Sequence, residues 1–417
     1  RPSPHQRISR TRFRQRAVMD ATRNPYAPGA GTPPPLLAGR DALVSIAEVA
    51  LARARSGRSA KSFVAVGLRG VGKTVVLNKV QDIADHQGYH SAFIEAEEDG
   101  NLIRSLLPHL RRILFKLDRI EGLQEAVRRG LRVLKGFASA VKLEYGDFSA
   151  GLDFDSEPGS ADSGDLAVDL PELLLAVGQA AASRNTAIAI LIDEIQYLPE
   201  RELGFLIGAI HRVNQKQLPL VMVGAGLPQV LGQMGAAKSY AERLFEFPRV
   251  AALSESDAKD AIAKPATDEG VAFEDQALDE MFKVTQGYPY FLQEWGYVTW
   301  NIAQASPITR DHVISAKTEA IRRLDESFFR MRLDRMTPTE KRYIRAMAEL
   351  GPGPHRSGDI ARVYNALVTT VAPIRSNLIS KGMIYSPAHG ETAFTVPLFD
   401  EFMRREVPNF LAQKCEA

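Results

Sequence analysis

The chain has 417 residues, of which 45% are hydrophobic and 24% charged, a composition that predicts two or three folded domains and excludes a short peptide and a collagen-like fibre. Its purest apolar run, Ala187 to Ile192, is far shorter than the ~18 residues needed to cross a bilayer, and its one cysteine, Cys415, excludes an internal disulfide, so we expect a cytoplasmic protein without membrane contact. Residues 1–18 contain six arginines, and the rest of the chain is mildly acidic, with 46 basic and 50 acidic side chains. This balance weakens an argument for nucleic-acid binding from the overall charge.

The first 35 residues predict a basic tail followed by a strap rich in proline and glycine. Residues 1–18 lack acidic side chains, and three interpretations remain open: a phosphate-binding tail, a targeting peptide, or an extension upstream of a start at Met19. Residues 24–35 contain five prolines, which exclude a helix and favour an extended segment along a surface. Asp41 then suits the N-cap of a helix over Ala42 to Arg55, where apolar residues recur at helical spacing.

A short apolar run, Phe63 to Val66, precedes a glycine-rich loop and a helical run from Val75 to Gln87. The loop fits the phosphate-loop pattern at every required position. Its residues are Gly67, Leu68, Arg69, Gly70, Val71, Gly72, Lys73 and Thr74. The glycines let backbone N–H groups turn toward a triphosphate, and the N-terminus of the helix adds partial positive charge. We therefore predict a nucleotide site that ends at Val75, with Lys73 on the β- and γ-phosphates and Thr74 on Mg²⁺.

The segments after the first helix predict one strand, two helices and an acidic insertion. Tyr89 to Ile94 is typical of a strand, and Leu102 to Lys116 of an amphipathic helix that packs on the sheet. Residues from about 143 to 168 are rich in Gly, Ser, Asp and Pro and predict an acidic loop or hairpin that projects from the core. No histidine lies among these carboxylates, which disfavours a metal site there. A helix over Leu170 to Ser183 follows.

An acidic pair, Asp193 and Glu194, directly follows the apolar strand Ala187 to Ile192. Because parallel strands present their carboxyl ends at one edge of the sheet, this pair is expected beside the phosphate loop. We predict that Asp193 orients a Mg²⁺-bound water and that Glu194 polarises the attacking water.

The pattern of elements divides the chain into a core, a lid and a C-terminal domain. Strands alternate with helices within residues 36–252, which predicts an α/β P-loop core with a parallel sheet between helices. Residues 253–330 contain only helical patterns and predict an all-α lid. Residues 331–417 read as helix, short helix, helix and two strands, the order of a winged helix.

With the phosphate loop and the acidic pair in this order, the sequence resembles the AAA+ ATPases, and within them the origin-recognition-complex-like and STAND-like branch. The resemblance covers Leu36 to Pro408. The segment Leu37-Ala38-Gly39-Arg40-Asp41 resembles the box that precedes the phosphate loop in that branch, which implies that Gly39 and Arg40 lie near the adenine of bound ATP or ADP. The segment Asp193-Glu194-Ile195-Gln196 resembles its Walker B motif.

Three further positions depend on this resemblance. Arg243 stands where the family places an arginine finger toward the γ-phosphate of a neighbouring subunit, which implies a homo-oligomer; a surface salt bridge is the alternative. Gly224-Ala225-Gly226 replaces the usual polar sensor, and Gly287-Tyr288-Pro289-Tyr290 replaces a second sensor arginine. The latter resembles a Gly-x-Pro element, in which Pro289 packs near the base. The missing sensors imply slow hydrolysis.

In the C-terminal domain, the predicted recognition helix spans Val368 to Lys381 and presents Arg375, Ser376, Asn377 and Lys381. Three roles of this domain remain open: contact with double-stranded DNA, contact with a protein partner, and self-docking on the core. The resemblance implies self-docking for the STAND-like branch. The leading hypothesis is an ATP-binding, slowly hydrolysing switch ATPase whose nucleotide state repositions the lid and winged helix toward a partner. The alternatives are an ATP-regulated DNA-binding loader or regulator and a nucleotide-binding scaffold without turnover.

Overall fold

The computed structural model describes residues 19–29, 31–98, 100–119, 125–141 and 155–408. The described chain forms two compact units. The smaller unit combines the N-terminal segment up to Ala38 with Leu253–Leu324, and the larger combines Gly39–Ala252 with the chain from Asp325 onward. The strap therefore folds with the helices of the smaller unit. The larger unit resumes at Asp325, earlier than residue 331. Asp325 is paired with Arg405 of the C-terminal domain at 2.7 Å.

A parallel sheet forms the centre of the larger unit. Its strands are β1 (Ser62–Gly67), β2 (Tyr89–Glu95), β3 (Ala187–Asp193), β4 (Leu220–Gly226), β5 (Phe245–Glu246) and β6 (Arg249–Val250). They lie in the order β2-β3-β4-β1-β5, with β6 also paired to β1, and every pairing is parallel. Strands β1, β3 and β4 are buried throughout, as their continuous apolar runs require. The predicted α/β fold is confirmed.

Eight helices accompany this sheet in the described part of the core. They are α1 (Asp41–Arg55), α2 (Lys73–His86), α3 (Leu102–Asp118), α4 (Glu125–Ala140), α5 (Leu166–Ser183), α6 (Glu200–Gln215), α7 (Val230–Ala237) and α8 (Ala241–Leu244). The apolar faces of α3, α4, α5 and α6 share one core with the sheet. Helix α4 was not predicted from the sequence. Its Gly130, which lowers helix propensity, allows close packing, since a Cβ there would lie 2.9 Å from Leu114 Cδ2.

The acidic insertion is only partly described, because residues 142–154 lie outside the described ranges. The remainder is more ordered than a projecting loop. Glu157 is bonded to Arg129 at 2.9 Å, and the buried Asp169 accepts hydrogen bonds from the backbone N–H groups of Ser163 and Gly164. Helix α5 begins at Leu166, before the predicted start at Leu170. The last residues of the predicted insertion are therefore helical.

Among the described residues, α5 is the one helix long and apolar enough to cross a membrane, with a mean hydropathy of 1.3. Half of it is buried inside the protein. Its apolar residues Leu170, Leu173, Leu174 and Val177 belong to the core shared with the sheet. Its apolar character is explained by this packing.

The smaller unit contains four helices and the strap. The helices are α9 (Glu255–Asp268), α10 (Asp275–Thr285), α11 (Pro289–Ile302) and α12 (Arg310–Arg323). In the strap, the buried ring of Tyr26 lies against Gly296, where a Cβ would be 2.9 Å from the ring, and its hydroxyl donates to the Ile262 carbonyl at 2.6 Å. The Trp300 indole N–H donates to the Asp20 carbonyl at 2.9 Å. The buried aromatic side chains of α11 form the core of this unit.

The C-terminal domain belongs to the larger unit. Its elements are α13 (Arg330–Asp334), α14 (Pro338–Glu349), β7 (His355–Arg356), α15 (Ser357–Tyr364), α16 (Val368–Ser380), β8 (Ile384–Tyr385), β9 (Glu391–Phe394) and α17 (Phe399–Glu406). The three strands pair antiparallel in the order β7-β9-β8. A capping box between Thr337 and Glu340 begins α14, and Pro338 suits its first turn.

Candidate nucleotide-binding site

The glycine-rich loop connects β1 to α2 and presents the N-terminus of that helix. Gly70 and Gly72 have φ values of 80° and 92°, a left-handed region that suits glycine. Helix α2 begins at Lys73, two residues before the predicted Val75, and no side chain in the described part of the chain caps it at Gly72. Its first N–H groups therefore need an acceptor from outside the helix, and an anion such as phosphate satisfies that need.

Lys73 is a buried cation at the start of α2, with 6% of its surface exposed. Its Nζ donates to the Leu68 carbonyl at 2.9 Å. Burial lowers the pKa of Lys73, although the nearby Glu194 and Asp193 carboxylates oppose this effect. A buried ammonium group is costly without an anion, so this position fits a phosphate of a nucleotide.

Thr74 and Asp193 meet where β3 ends beside the loop. The Thr74 hydroxyl donates to Asp193 Oδ2 at 2.6 Å, and Asp193 Oδ1 accepts the backbone N–H of Glu194 at 2.8 Å. Burial raises the pKa of Asp193 despite the hydrogen bond from Thr74. A buried carboxylate and a hydroxyl are oxygen ligands of the kind that Mg²⁺ accepts when phosphates supply others. These two residues fit the predicted magnesium site.

Glu194 follows β3 in a strained backbone conformation, with φ of 50° and ψ of 36°. Its carboxylate accepts a hydrogen bond from Gln196 Nε2 and lies 3.6 Å from Arg69 Nη1. Non-glycine residues in the left-handed region cluster at functional sites, where surrounding structure holds them. The acidic pair is therefore brought to the phosphate loop, with Asp193 toward Thr74 and Glu194 toward Arg69.

Gln196 was not predicted as a site residue. It is 4% exposed, and its Oε1 accepts the backbone N–H of Leu227 at 2.9 Å. A Cβ at Gly226 would lie 2.9 Å from this oxygen, so the glycine leaves room for the amide. Gln196 therefore links Glu194 to the end of β4, where the sequence has Gly224-Ala225-Gly226 in place of a polar sensor. The glycines at 224 and 226 were the sequence signal that a side chain from another element could occupy this position.

Arg40, which follows Gly39 in the chain, is hydrogen-bonded to the phosphate loop. Arg40 is buried, and its Nη2 donates to the carbonyl oxygens of Val71 at 3.0 Å and Ala251 at 2.6 Å. Gly39 has a φ of 63°. Arg40 thus ties the loop to the segment after β6. Its expected position beside an adenine stays a prediction.

Arg243 and Pro289 lie on elements outside the loop. Arg243 is an exposed residue of the short helix α8 and has no carboxylate within 4.0 Å in the described parts of the chain, so the salt-bridge alternative is not observed there. Pro289 is the first residue of α11 in the smaller unit. The finger role of Arg243 and the base contact of Pro289 stay predictions.

The C-terminal domain reaches the phosphate loop through Arg69. The Arg69 Nε donates to the Gly382 carbonyl at 3.3 Å, and its Nη2 donates to the Tyr197 hydroxyl at 2.5 Å. Nearby, Gln229 Nε2 at the start of α7 donates to the Ile379 carbonyl at 3.2 Å. The turn after α16 therefore contacts the core beside Glu194. Self-docking on the core was one of the open alternatives, but no sequence pattern marks Arg69 or Gly382 as the residues that make the contact.

The cations of the predicted DNA-binding surface are bonded within the chain. Arg375 donates to Thr392 Oγ1 at 2.7 Å and to the Glu391 carbonyl at 2.8 Å, and Lys381 is paired with Glu340 at 2.8 Å. Arginines of α13 and its C-cap are similarly engaged. These pairs are Arg330 with Glu406 and Arg335 with Glu98. These cations are engaged within the chain, and those paired with carboxylates contribute less to a phosphate-binding surface.

The fold and this site define a P-loop nucleotide-binding protein. Residues 36–223 match the family described as AAA ATPase domain, and residues 326–403 match a family described as a domain of unknown function. Residues 36–223 are therefore similar to AAA ATPase domains. No sequence among the curated proteins matches this chain.

Several solved structures are similar to this chain. The Walker-type ATPase of Pyrococcus abyssi is 13% identical, with 88% of this chain and 96% of that chain covered and a TM-score of 0.56. The Orc1 protein of Aeropyrum pernix, in complex with DNA, is 18% identical over 91% and 95%, with a TM-score of 0.44. Cdc6p of Pyrobaculum aerophilum is 13% identical over 95% and 99%, with a TM-score of 0.45. At these identities a similarity shows the fold alone, and the Pyrococcus abyssi structure shows a fold shared along most of this chain.

Proposed function

We propose that this protein is an ATP-binding, slowly hydrolysing switch ATPase of the cytoplasm whose nucleotide state is transmitted to its C-terminal domain. The observation that carries the proposal is the meeting of three groups at one edge of the sheet: the buried Lys73, the hydrogen-bonded pair Thr74 and Asp193, and the carboxylate of Glu194. Together they supply an anion site, two oxygen ligands for a divalent cation and a general base.

Each residue has a separate role in this proposal. The N-terminus of α2 and Lys73 bind phosphate oxygens, while Thr74 and Asp193 hold Mg²⁺, which when bound neutralises phosphate charge and polarises the phosphoryl group. Glu194 orients and deprotonates the attacking water. Gln196 and Arg69 already engage its carboxylate, so water must compete with them for its oxygens, which supports slow turnover.

Magnesium-dependent binding tests this function directly. We expect a fluorescent ATP analogue to bind the full chain with Mg²⁺ and to bind at least about tenfold more weakly in EDTA, a difference of ~1.4 kcal/mol. Released phosphate, measured over hours, should accumulate only with Mg²⁺. Absence of binding at millimolar nucleotide would refute the ATP site, and binding without any phosphate release would favour the scaffold without turnover.

The switch itself is inferred from the position of the C-terminal domain. The run from α14 to β9, with three helices and three strands, supports a winged helix. The contacts of the domain with Arg69 and Gln229 support self-docking on the core. We infer that nucleotide changes the balance between the docked domain and one available to a protein partner or a second copy of the chain. Arg243 is the candidate finger for such a second copy.

The DNA-binding alternative predicts a different result for one helix. Arg375 joins α16 to β9 through two hydrogen bonds and donates a third to Ser386 Oγ after β8. We therefore expect Arg375→Ala to lower the Tm through loss of structure, at a cost of about 1–3 kcal/mol. The exposed Asn377 on the same helix is the matched control, and Asn377→Ala should leave the Tm unchanged. Thermal melts and electrophoretic shifts at two salt concentrations measure both effects. A salt-dependent shift of duplex DNA that Asn377→Ala weakens without changing the Tm would instead support DNA binding.

A further inference from the structure

We propose that Arg69 is a positioning residue for Glu194, and that the C-terminal domain sets the position of Arg69 through the carbonyl of Gly382. This proposal rests on the proposed function and adds the residue through which the C-terminal domain acts on hydrolysis. Arg69 occupies a variable position of the phosphate-loop pattern, so the pattern itself assigns it no role.

Arg69 joins three parts of the larger unit. Its guanidinium lies 3.6 Å from Glu194 Oε1, donates to the Tyr197 hydroxyl at 2.5 Å and donates to the Gly382 carbonyl at 3.3 Å. The Arg69 and Glu194 side chains are only 17% and 20% exposed, so water screens their attraction less than at an open surface. The planar guanidinium can hold these acceptors together, whereas a lysine offers a single ammonium group.

The Gly382 carbonyl is held in place independently of Arg69. It also accepts a hydrogen bond from Thr395 Oγ1 at 2.8 Å. The residue is buried, with a φ of 64°, and a Cβ there would lie 2.7 Å from Leu227 Cδ1 and 2.8 Å from Arg69 Nη2. Glycine therefore allows the domain to approach the loop closely enough for this contact.

The contact holds Glu194 in a less reactive arrangement. While the domain is docked, Gln196 donates a hydrogen bond to the Glu194 carboxylate and the Arg69 guanidinium lies beside it, so both compete with the water that would give it a proton. When the turn at Gly382 moves away, Arg69 loses one of its fixed acceptors and Glu194 is held less firmly. Undocking should therefore raise the rate of hydrolysis and leave the phosphate-binding groups Lys73 and Thr74 in place.

A pair of glycine variants tests this coupling. Gly382→Ala and Gly390→Ala place the same methyl group at left-handed positions, with φ values of 64° and 77°, but a Cβ at Gly390 would meet no atom within 4 Å. We expect Gly382→Ala to raise kcat for phosphate release by about threefold or more, with the Kd of a fluorescent ATP analogue changed by less than about twofold. Gly390→Ala should match the original protein in both.

A second substitution decides the question if Gly382→Ala does not fold. Arg69→Gln should also raise kcat at nearly unchanged Kd, and Arg69→Lys should restore part of the slow rate because it keeps the charge beside Glu194. Unchanged kcat in folded Gly382→Ala and in Arg69→Gln would overturn the proposal, as would a weaker Kd with unchanged kcat in Arg69→Gln, which would make Arg69 a nucleotide ligand. Failure of the original protein to bind ATP would instead refute the proposed function.

Discussion

Replacing Lys73 by alanine is expected to weaken ATP binding by about two orders of magnitude or more. Loss of one partner from a buried charge pair costs about 2–5 kcal/mol, and each ~1.4 kcal/mol is a factor of ten in Kd. Lys73 is the buried cation at the N-terminus of α2, so its removal leaves phosphate charge without its main counterpart. Titration with a fluorescent ATP analogue measures the change.

Stability separates this effect from unfolding. Burial lowers the pKa of Lys73, which means that the folded state disfavours the protonated amine and that its charge costs stability at neutral pH. Lys73→Met keeps most of the side-chain volume, so we expect its ligand-free Tm to equal or exceed that of the original protein while its stabilisation by ATP disappears. Lys79, exposed on the same helix, provides the control Lys79→Ala. ATP affinity retained in Lys73→Met would contradict the assignment of the loop.

Glu194→Gln is expected to reduce phosphate release by about 100-fold or more and to leave ATP binding nearly unchanged. General-base catalysis contributes typically ~10²–10⁴-fold, and glutamine keeps the size and a carbonyl acceptor for Gln196 but cannot take a proton. The substitution changes neither Lys73 nor the pair formed by Thr74 and Asp193. Single-turnover phosphate release and equilibrium titration measure the two quantities separately.

The matched control is Glu200→Gln, because Glu200 is an exposed carboxylate at the start of α6, a few residues farther along the chain. It should retain full hydrolysis. If Glu194→Gln hydrolyses ATP as fast as the original protein, then the water is activated elsewhere and the role of Glu194 is wrong. Equal loss of binding and hydrolysis would instead indicate that Glu194 supports the site as a structural element.

The sequence predicted the part of the site that depends on local pattern. A strand, a glycine loop and a helix lie consecutively in the chain, and the loop's glycines and Lys73 are contained in one motif, so their arrangement needed no knowledge of distant contacts. The acidic pair was similarly marked by the end of β3. The parallel order of the sheet then brought Asp193 to Thr74.

Contacts between distant residues could not be predicted in this way. Arg69 and Gly382 are far apart in the sequence, and neither position carries a pattern that points to the other. Helix α4 was missed because Gly130 and Gly136 lower its apparent propensity, while tertiary packing stabilises it. Arg375 and Lys381 were predicted to be available for DNA, because the sequence identifies charged residues but not the acceptors that bind them in the folded domain.

The strap determines where a functional fragment of this protein can begin. The similarity to AAA ATPase domains starts at residue 36, yet Tyr26 fills the space beside Gly296 and Asp20 accepts the indole N–H of Trp300. Truncation at the homology border would uncover aromatic surface on the helical unit and invite aggregation. An expressed version intended for biochemistry should therefore retain the residues from Met19 onward.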